Sequence, residues 1–225
     1  MKISIITLFP SMFDGPFATS MLRKAQDMNA LEVELINLRD FGIGPRQTVD
    51  DTPYGGGAGM VLKPEPIFAA VDSVVAKTGA KPYIVLLSPR GKPYTQNVAR
   101  DLARKDHIIM ICGHYEGVDE RVNTIVDAEI SVGDFIMTGG EIAAMAATDS
   151  VTRLLPGVLG DDRSAQDESF ATGLLEYPHY TRPEEFRGMK VPDELKTGHH
   201  AEIDKWRRTE AVKKTQTNRP DLTDF

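Results

Sequence analysis

The chain has 225 residues, a net charge of −7 and an apolar fraction of 41%. That length holds one large domain, or one domain with a small companion, and the apolar content is ample for a packed core. No apolar run reaches membrane-spanning length, and a single cysteine, Cys112, excludes an internal disulfide and a cysteine-based zinc site.

The elements are predicted in chain order as follows. Ile3–Phe9 reads as a buried first strand rather than a signal peptide, because it lacks a charged start, a long apolar run and a small-residue cleavage site. A cytoplasmic protein without a membrane partner is therefore expected. Ser11 to Asp27 reads as largely helical, with a break at Gly15-Pro16. Leu31–Ile36 alternates with period two, as a half-exposed strand should. Asp40 to Lys63 is a long irregular segment containing the glycine-rich Tyr54–Met60. Loops of that length in compact domains are functional or disordered. A helix follows from Pro64 to Lys77, with Pro64 and Pro66 suited to its entry.

Three apolar runs then share one grammar. Tyr83–Leu87 stops at Ser88-Pro89-Arg90-Gly91, and His107–Cys112 stops at Gly113-His114-Tyr115-Glu116-Gly117. Ile125–Ser131 leads into Val132, Gly133, the apolar Phe135-Ile136-Met137, and Thr138-Gly139-Gly140. Each is followed by a helical pattern: one opened by Thr95, one over Val118–Thr124, one over Glu141–Leu154. Apolar runs without alternation suit parallel strands covered on both faces. Alternating strands and helices imply an α/β domain with a mostly parallel sheet. Ligands bind outside the carboxyl ends of such strands, so the three turns are expected to line one pocket.

Leu155-Pro156-Gly157 breaks the pattern, and the polar stretch from Gly160 to Ser169 reads as a linker. Beyond it, an amphipathic helix carrying Ile203, Trp206 and Val212 ends before Pro220, which predicts a small, mainly helical second domain. Between Lys196 and Arg219 stand seven basic and three acidic residues. Such a face can meet phosphates even on an acidic protein, although a merely solvated helix face is the commoner origin of a charge run.

Several chemistries are excluded by spacing. Met60 stands where the third glycine of a dinucleotide loop would fall after Gly55 and Gly57. There is no Walker-type loop, no His-Glu-x-x-His and no Gly-x-Ser-x-Gly. His199-His200 reads as a solvated helix start rather than a ligand pair.

The segments Ile6–Pro10, Tyr54–Met60, Leu87–Gly91, Cys112–Arg121, Gly133–Phe135 with Thr138–Glu141, Pro156–Gly160, Pro178–Pro183, and Thr197–His200 with Lys205–Arg207 occur in one order. On these the chain resembles, end to end, the bacterial tRNA (guanine-N1)-methyltransferases of the SPOUT superfamily. The resemblance implies a parallel sheet with a deep trefoil knot. It divides the chain into residues 1–160 for the cofactor, a linker over 161–170 and a helical tRNA-binding domain over 171–225. It further implies a homodimer with the active site at the subunit interface, tRNA with guanosine at position 37 as substrate, and S-adenosylmethionine as methyl donor. By the same likeness the donor is held by Leu87, Ser88, Pro89, Gly113, Tyr115, Glu116, Val132, Gly133, Met137, Gly139 and Gly140. Arg153 matches the family's guanine-stabilising arginine. The family's catalytic Asp precedes Ser-Phe; here Glu168 precedes Ser169-Phe170, with Asp167 as the other candidate base. The resemblance also implies a divalent metal, Mg2+, whose ligands the sequence does not name. Where relatives carry proline after Thr-Gly-Gly-Glu and an apolar residue, this chain has Ala143, and a looser loop is expected there.

Overall fold

Leu, Ile, Val and Met alternate between the two faces of the central strands and leave neither face polar. The computed structural model, which describes residues 1–160 and 168–223, gives both faces a cover. The chain divides into two compact units, Met1–Gly160 and Asp161–Phe225. In chain order the strands of the first unit are β1 (Lys2–Thr7), β2 (Glu32–Asn37), β3 (Asp50–Asp51), β4 (Val61–Leu62), β5 (Tyr83–Pro93), β6 (His107–Cys112) and β7 (Ala128–Ser131). Its helices are α1 (Asp14–Phe17), α2 (Ser20–Asp27), α3 (Pro64–Thr78), α4 (Gln96–Ala103) and α5 (Glu141–Thr152).

Five strands form one parallel sheet in the order β2-β1-β6-β5-β7, and β3 and β4 make a separate antiparallel pair. Ile3, Ile5, Val85, Leu87, Ile108 and Met110 face one side, where Leu22 and Ala25 of α2, Ala99 and Leu102 of α4, and Ala144, Ala147 and Val151 of α5 cover them. Ile6, Ile84, Leu86, Ile109 and Ile111 face the other, under Ile67, Ala70, Val71 and Val74 of α3. Period-two side-chain alternation inside a two-sided core explains why these strands read as unbroken apolar runs. Gly79, at φ +67°, ends α3 and donates its N–H to the Val75 carbonyl at 3.0 Å, a left-handed cap that suits glycine.

Some expectations need correction. Strand β5 does not stop at Leu87: both Leu87 and Lys92 register with Ile130 of β7, so residues 88–91 loop out and the strand resumes. Gly15 and Pro16 lie inside α1, since proline is tolerated in a first helical turn, and the break follows at residues 18–19. The helix expected over Val118–Thr124 is a 3-10 turn over Glu120–Thr124. Ala143 is buried in the first turn of α5.

In the second unit, α6 (His200–Asn218) buries Ala211 and Thr215, and the Thr215 hydroxyl accepts from Leu175 N–H at 2.9 Å. The Arg207 guanidinium lies 4.9 Å over the Tyr177 ring, and Trp206 meets Tyr180 at 6.2 Å between ring centroids. An antiparallel hairpin, β8 (Glu185–Phe186) with β9 (Met189–Lys190), was not legible in the sequence; its strands are two residues each, too short for a periodic signal. Among the described residues no helix is long and apolar enough to cross a membrane.

Candidate active site

The excursion of β5 after Leu87 and the carboxyl ends of β6 and β7 open into a cavity of about 290 Å³. Its first wall is the excursion from β5. Ser88 Oγ accepts from Arg90 N–H at 3.2 Å and closes that loop, which returns to the sheet at Gly91. A Cβ on Gly91 would overlap the Ile130 backbone nitrogen, so only glycine lets β5 resume against β7.

The second wall follows β6. Tyr115 takes φ +59°, an uncommon conformation for a bulky residue, and Gly117 N–H closes the turn on the His114 carbonyl at 3.1 Å. The turn is pinned from outside by the glycine-rich segment. Glu116 N–H donates to the Met60 carbonyl at 3.0 Å, Leu62 N–H to Gly117 at 2.9 Å, and Asp119 N–H to Leu62 at 3.0 Å. At Gly59, φ +85°, a Cβ would collide with the Glu116 side chain. Tyr54–Met60 thus buttresses the cavity's acidic residue without lining the cavity.

The third wall is the 132–140 turn. Ser131 Oγ donates to the Gly133 carbonyl at 3.0 Å, and Gly140 N–H donates to the Gly113 carbonyl at 2.8 Å. A Cβ on Gly140 would stand 2.9 Å from Cys112 Cα, so the turn lies directly on the end of β6. Phe135 and Ile136 remain exposed at the rim. Burial and the neighbouring Glu141 carboxylate push the Cys112 thiol well above its ordinary range, which keeps it protonated and unreactive. Burial, and then the Asp50 carboxylate, also raise the Tyr115 hydroxyl.

All eleven residues assigned to the donor by resemblance line this one cavity. It also draws in Arg90, His114, Val118, Ile136, Thr138 and Ala143, which the resemblance did not assign to the donor. A second hollow of about 750 Å³ lies beside α4, walled by Arg90, Lys92, Arg104, Lys105, Asp101, Asp127 and Glu129. It is roomier, but its charges are mixed and none of the expected site residues lines it.

A family model described as tRNA (guanine-1)-methyltransferase TrmD matches residues 1–224. The chain belongs to this family. It is 56% identical over 223 residues to the tRNA (guanine-N(1)-)-methyltransferases of Bacillus cereus (strain AH820) and Bacillus anthracis (strain CDC 684 / NRRL 3495), covering 99% of this chain and 91% of each relative. It is also similar to the crystal structure of tRNA (m1G37) methyltransferase from Aquifex aeolicus, with a TM-score of 0.81 and 45% identity over 99% of this chain and 94% of that one.

Of the residues assigned to catalysis, Arg153 belongs to the first unit and does not line its cavity. Arg153 caps the far end of α5, whose 12 residues make a rod about 18 Å long from the cavity. Glu168 belongs to the second unit, where its carbonyl accepts from Ala171 N–H at 3.0 Å. Asp167 lies outside the described residues. Among the described residues no group of three or more His, Cys, Asp or Glu is placed to hold a metal ion.

Proposed function

We propose that this chain transfers a methyl group from S-adenosylmethionine to N1 of guanosine at tRNA position 37, next to the anticodon. The observation that carries this reading is the glycine-walled cavity at the strand ends in a chain of the tRNA (guanine-1)-methyltransferase family. The cavity suits the donor. Gly139 and Gly140 line it with no side chain of their own, so a ligand there meets main chain, while Leu87, Val132 and Met137 give an apolar wall. Ser88, Tyr115 and Glu116 add polar groups, and Pro89, Gly113 and Gly133 shape the turns between them. That mixture matches a ligand with a flat base, a ribose and a charged tail.

When bound, S-adenosylmethionine supplies an electrophilic methyl group on a sulfonium that departs as a neutral thioether. The remaining requirements fall on the protein. Neutral guanine carries a proton on N1, so a base must remove it before that nitrogen can attack. Glu168 is the proposed base, with Asp167 the alternative. Negative charge then grows toward O6, and the Arg153 guanidinium is the proposed donor to it. No step is assigned to the Mg2+ that the resemblance implied, since no group of three or more His, Cys, Asp or Glu among the described residues marks a site for it.

The position of Arg153 supports a homodimer, since a second copy can bring the far end of α5 to a cavity that its own chain's Arg153 does not line. The seating of Gly140 on Cys112 and Gly113, with Tyr94 N–H donating to the Ser131 carbonyl at 2.7 Å, supports threading of the 132–140 segment as a deep knot. Residues 1–160 are read as the knotted donor-binding domain, 161–170 as the linker and 171–225 as the tRNA-binding domain. A tRNA substrate places this work in the cytoplasm.

The test is transfer of labelled methyl from S-adenosylmethionine to unmodified transcripts carrying guanosine or adenosine at position 37. Label on the guanosine transcript alone is expected. Label on both, or on neither while the donor still binds, would overturn the assignment of the target.

A further inference from the structure

Beneath the 132–140 turn lies a polar pair that the proposed chemistry leaves unused. Glu141 is 2% exposed. Its Oε1 accepts from Thr7 Oγ1 at 2.8 Å, and its Oε2 stands 4.0 Å from His114 Nδ1. That nitrogen is buried and has no hydrogen-bond partner among the described residues. The imidazole is held between Phe9, at 5.1 Å, and the edge of Tyr115, at 4.9 Å. A buried carboxylate and a buried ring nitrogen each cost free energy until paired, and a small rotation of either side chain brings these two into a hydrogen bond.

Gly139 connects the pair to the cavity. Its backbone bridges to His114, and a Cβ on it would stand 2.5 Å from His114 Nδ1 and overlap Glu141 Oε2. Whatever ligand presses on Gly139 and Gly140 therefore also sets the gap between imidazole and carboxylate. We propose that His114 is a positioning residue: its Nδ1–H closes on Glu141 and braces the 133–140 turn, raising donor affinity without touching the transferred methyl. Thr7 orients the carboxylate from β1, and the absence of a side chain at Gly139 leaves the gap open. The proposal rests on the cavity being the site for S-adenosylmethionine.

The experiment measures the donor's dissociation constant by calorimetry, and KM and kcat for methyl transfer, in four variants. His114→Phe keeps the ring contacts but removes the donor; about a tenfold loss of affinity is expected, the size of one hydrogen bond to a charged group. His114→Asn restores an N–H near the same place, and affinity within about threefold of the unaltered protein is expected. Glu141→Gln keeps the Thr7 contact but turns an N–H toward the ring, for an expected loss of about fivefold. The double variant His114→Phe with Glu141→Gln should be no weaker than His114→Phe alone, because the two act as a unit. In all four, kcat at saturating donor should stay within about twofold while KM for the donor follows the dissociation constant. Normal affinity in His114→Phe, an Asn variant as weak as the Phe variant, or additive losses in the double variant would each overturn the brace. If His114→Phe fails to fold, Glu141→Gln and His114→Asn still decide. No binding of S-adenosylmethionine to the unaltered protein would instead overturn the donor reading, and the brace with it.

Discussion

At the carboxyl ends of its strands the first unit uses glycines and main chain; at the amino ends of the same strands it uses charged side chains. Around the cavity the walls turn on Gly91, Gly117 and Gly140, and Glu116 is held through its backbone. At the opposite end Lys2 pairs with Glu32 at 2.9 Å and Glu34 at 3.0 Å, and Lys77 reaches Glu34 at 2.7 Å. The buried Ser4 hydroxyl joins Glu34 at 3.3 Å and His107 Nε2 at 2.9 Å. One end is shaped to let a ligand approach bare backbone; the other fastens strand starts together. The difference teaches that the proposed binding and the fastening of the strands lie at opposite ends of one sheet, so each is expected to be damaged without the other.

The largest effect is expected from a residue of the second unit. Glu168→Gln removes the proposed base and should lower kcat about 10³-fold, within the range for loss of a general base. The donor's dissociation constant, measured by calorimetry, should not change. Loss of donor binding in this variant would break the separation between cavity and base.

Next in size is Gly140→Val. With Cys112 Cα 2.9 Å and Gly113 N 3.1 Å from any added Cβ, the turn must lift off β6. Overpacking of this kind costs about 1–3 kcal/mol, so donor affinity should fall by up to about a hundredfold. Gly160→Ala, which meets nothing within 4 Å, is the control and should bind normally. Equal effects from the two would show that the close approach at Gly140 does not matter.

The binding end was legible in the sequence because glycine and proline mark backbone constraints locally, at the positions where the constraint acts. Three apolar runs ending in such residues were enough to expect a shared pocket. The return of β5 at Lys92 was not legible, since Ser88-Pro89-Arg90-Gly91 reads locally as a terminus and only pairing with Ile130 restarts the strand. Nor was the proximity of His114 to Glu141, or of Lys77 to Glu34, which depends on how distant elements pack. The placement of Arg153 away from the cavity follows from the length of α5, while its role came from resemblance alone.

A smaller effect should come from the second unit. Exposed cations on α6 such as Lys205 and Arg208 are proposed to meet phosphates. Lys205→Ala and Arg208→Ala should each weaken tRNA binding several-fold at low salt and reduce the salt slope by about one, through lost counterion release. An unchanged slope in filter-binding titrations would remove α6 from the interface.

The smallest effect on activity, and the sharpest test of the comparison, lies at the amino ends. The hydrogen bond from Lys77 is the leading cause that lowers the Glu34 carboxyl to about 2, with Lys2 adding to it. An acid lowered on folding stabilises the folded chain above its ordinary value near 4.5, and that contribution is lost as pH falls from there toward 2. With Glu34 three-quarters buried, the contribution is on the order of 2 kcal/mol after allowance for solvent. His107 is shifted downward by burial and then by Lys2. For a base the consequence is that the unfolded chain takes the proton first as pH falls below about 6.5, so stability declines there as well. Melting temperature against pH should therefore fall in two stages. Glu34→Gln should lower it at neutral pH and flatten the acid stage, and His107→Gln should flatten the stage near pH 6. Both variants should bind S-adenosylmethionine with unaltered affinity at pH 7.5, because the strands separate them from the glycine turns. A loss of donor affinity in either would mean that the two ends are coupled through the sheet, and that the amino-end network also sets the geometry of the cavity.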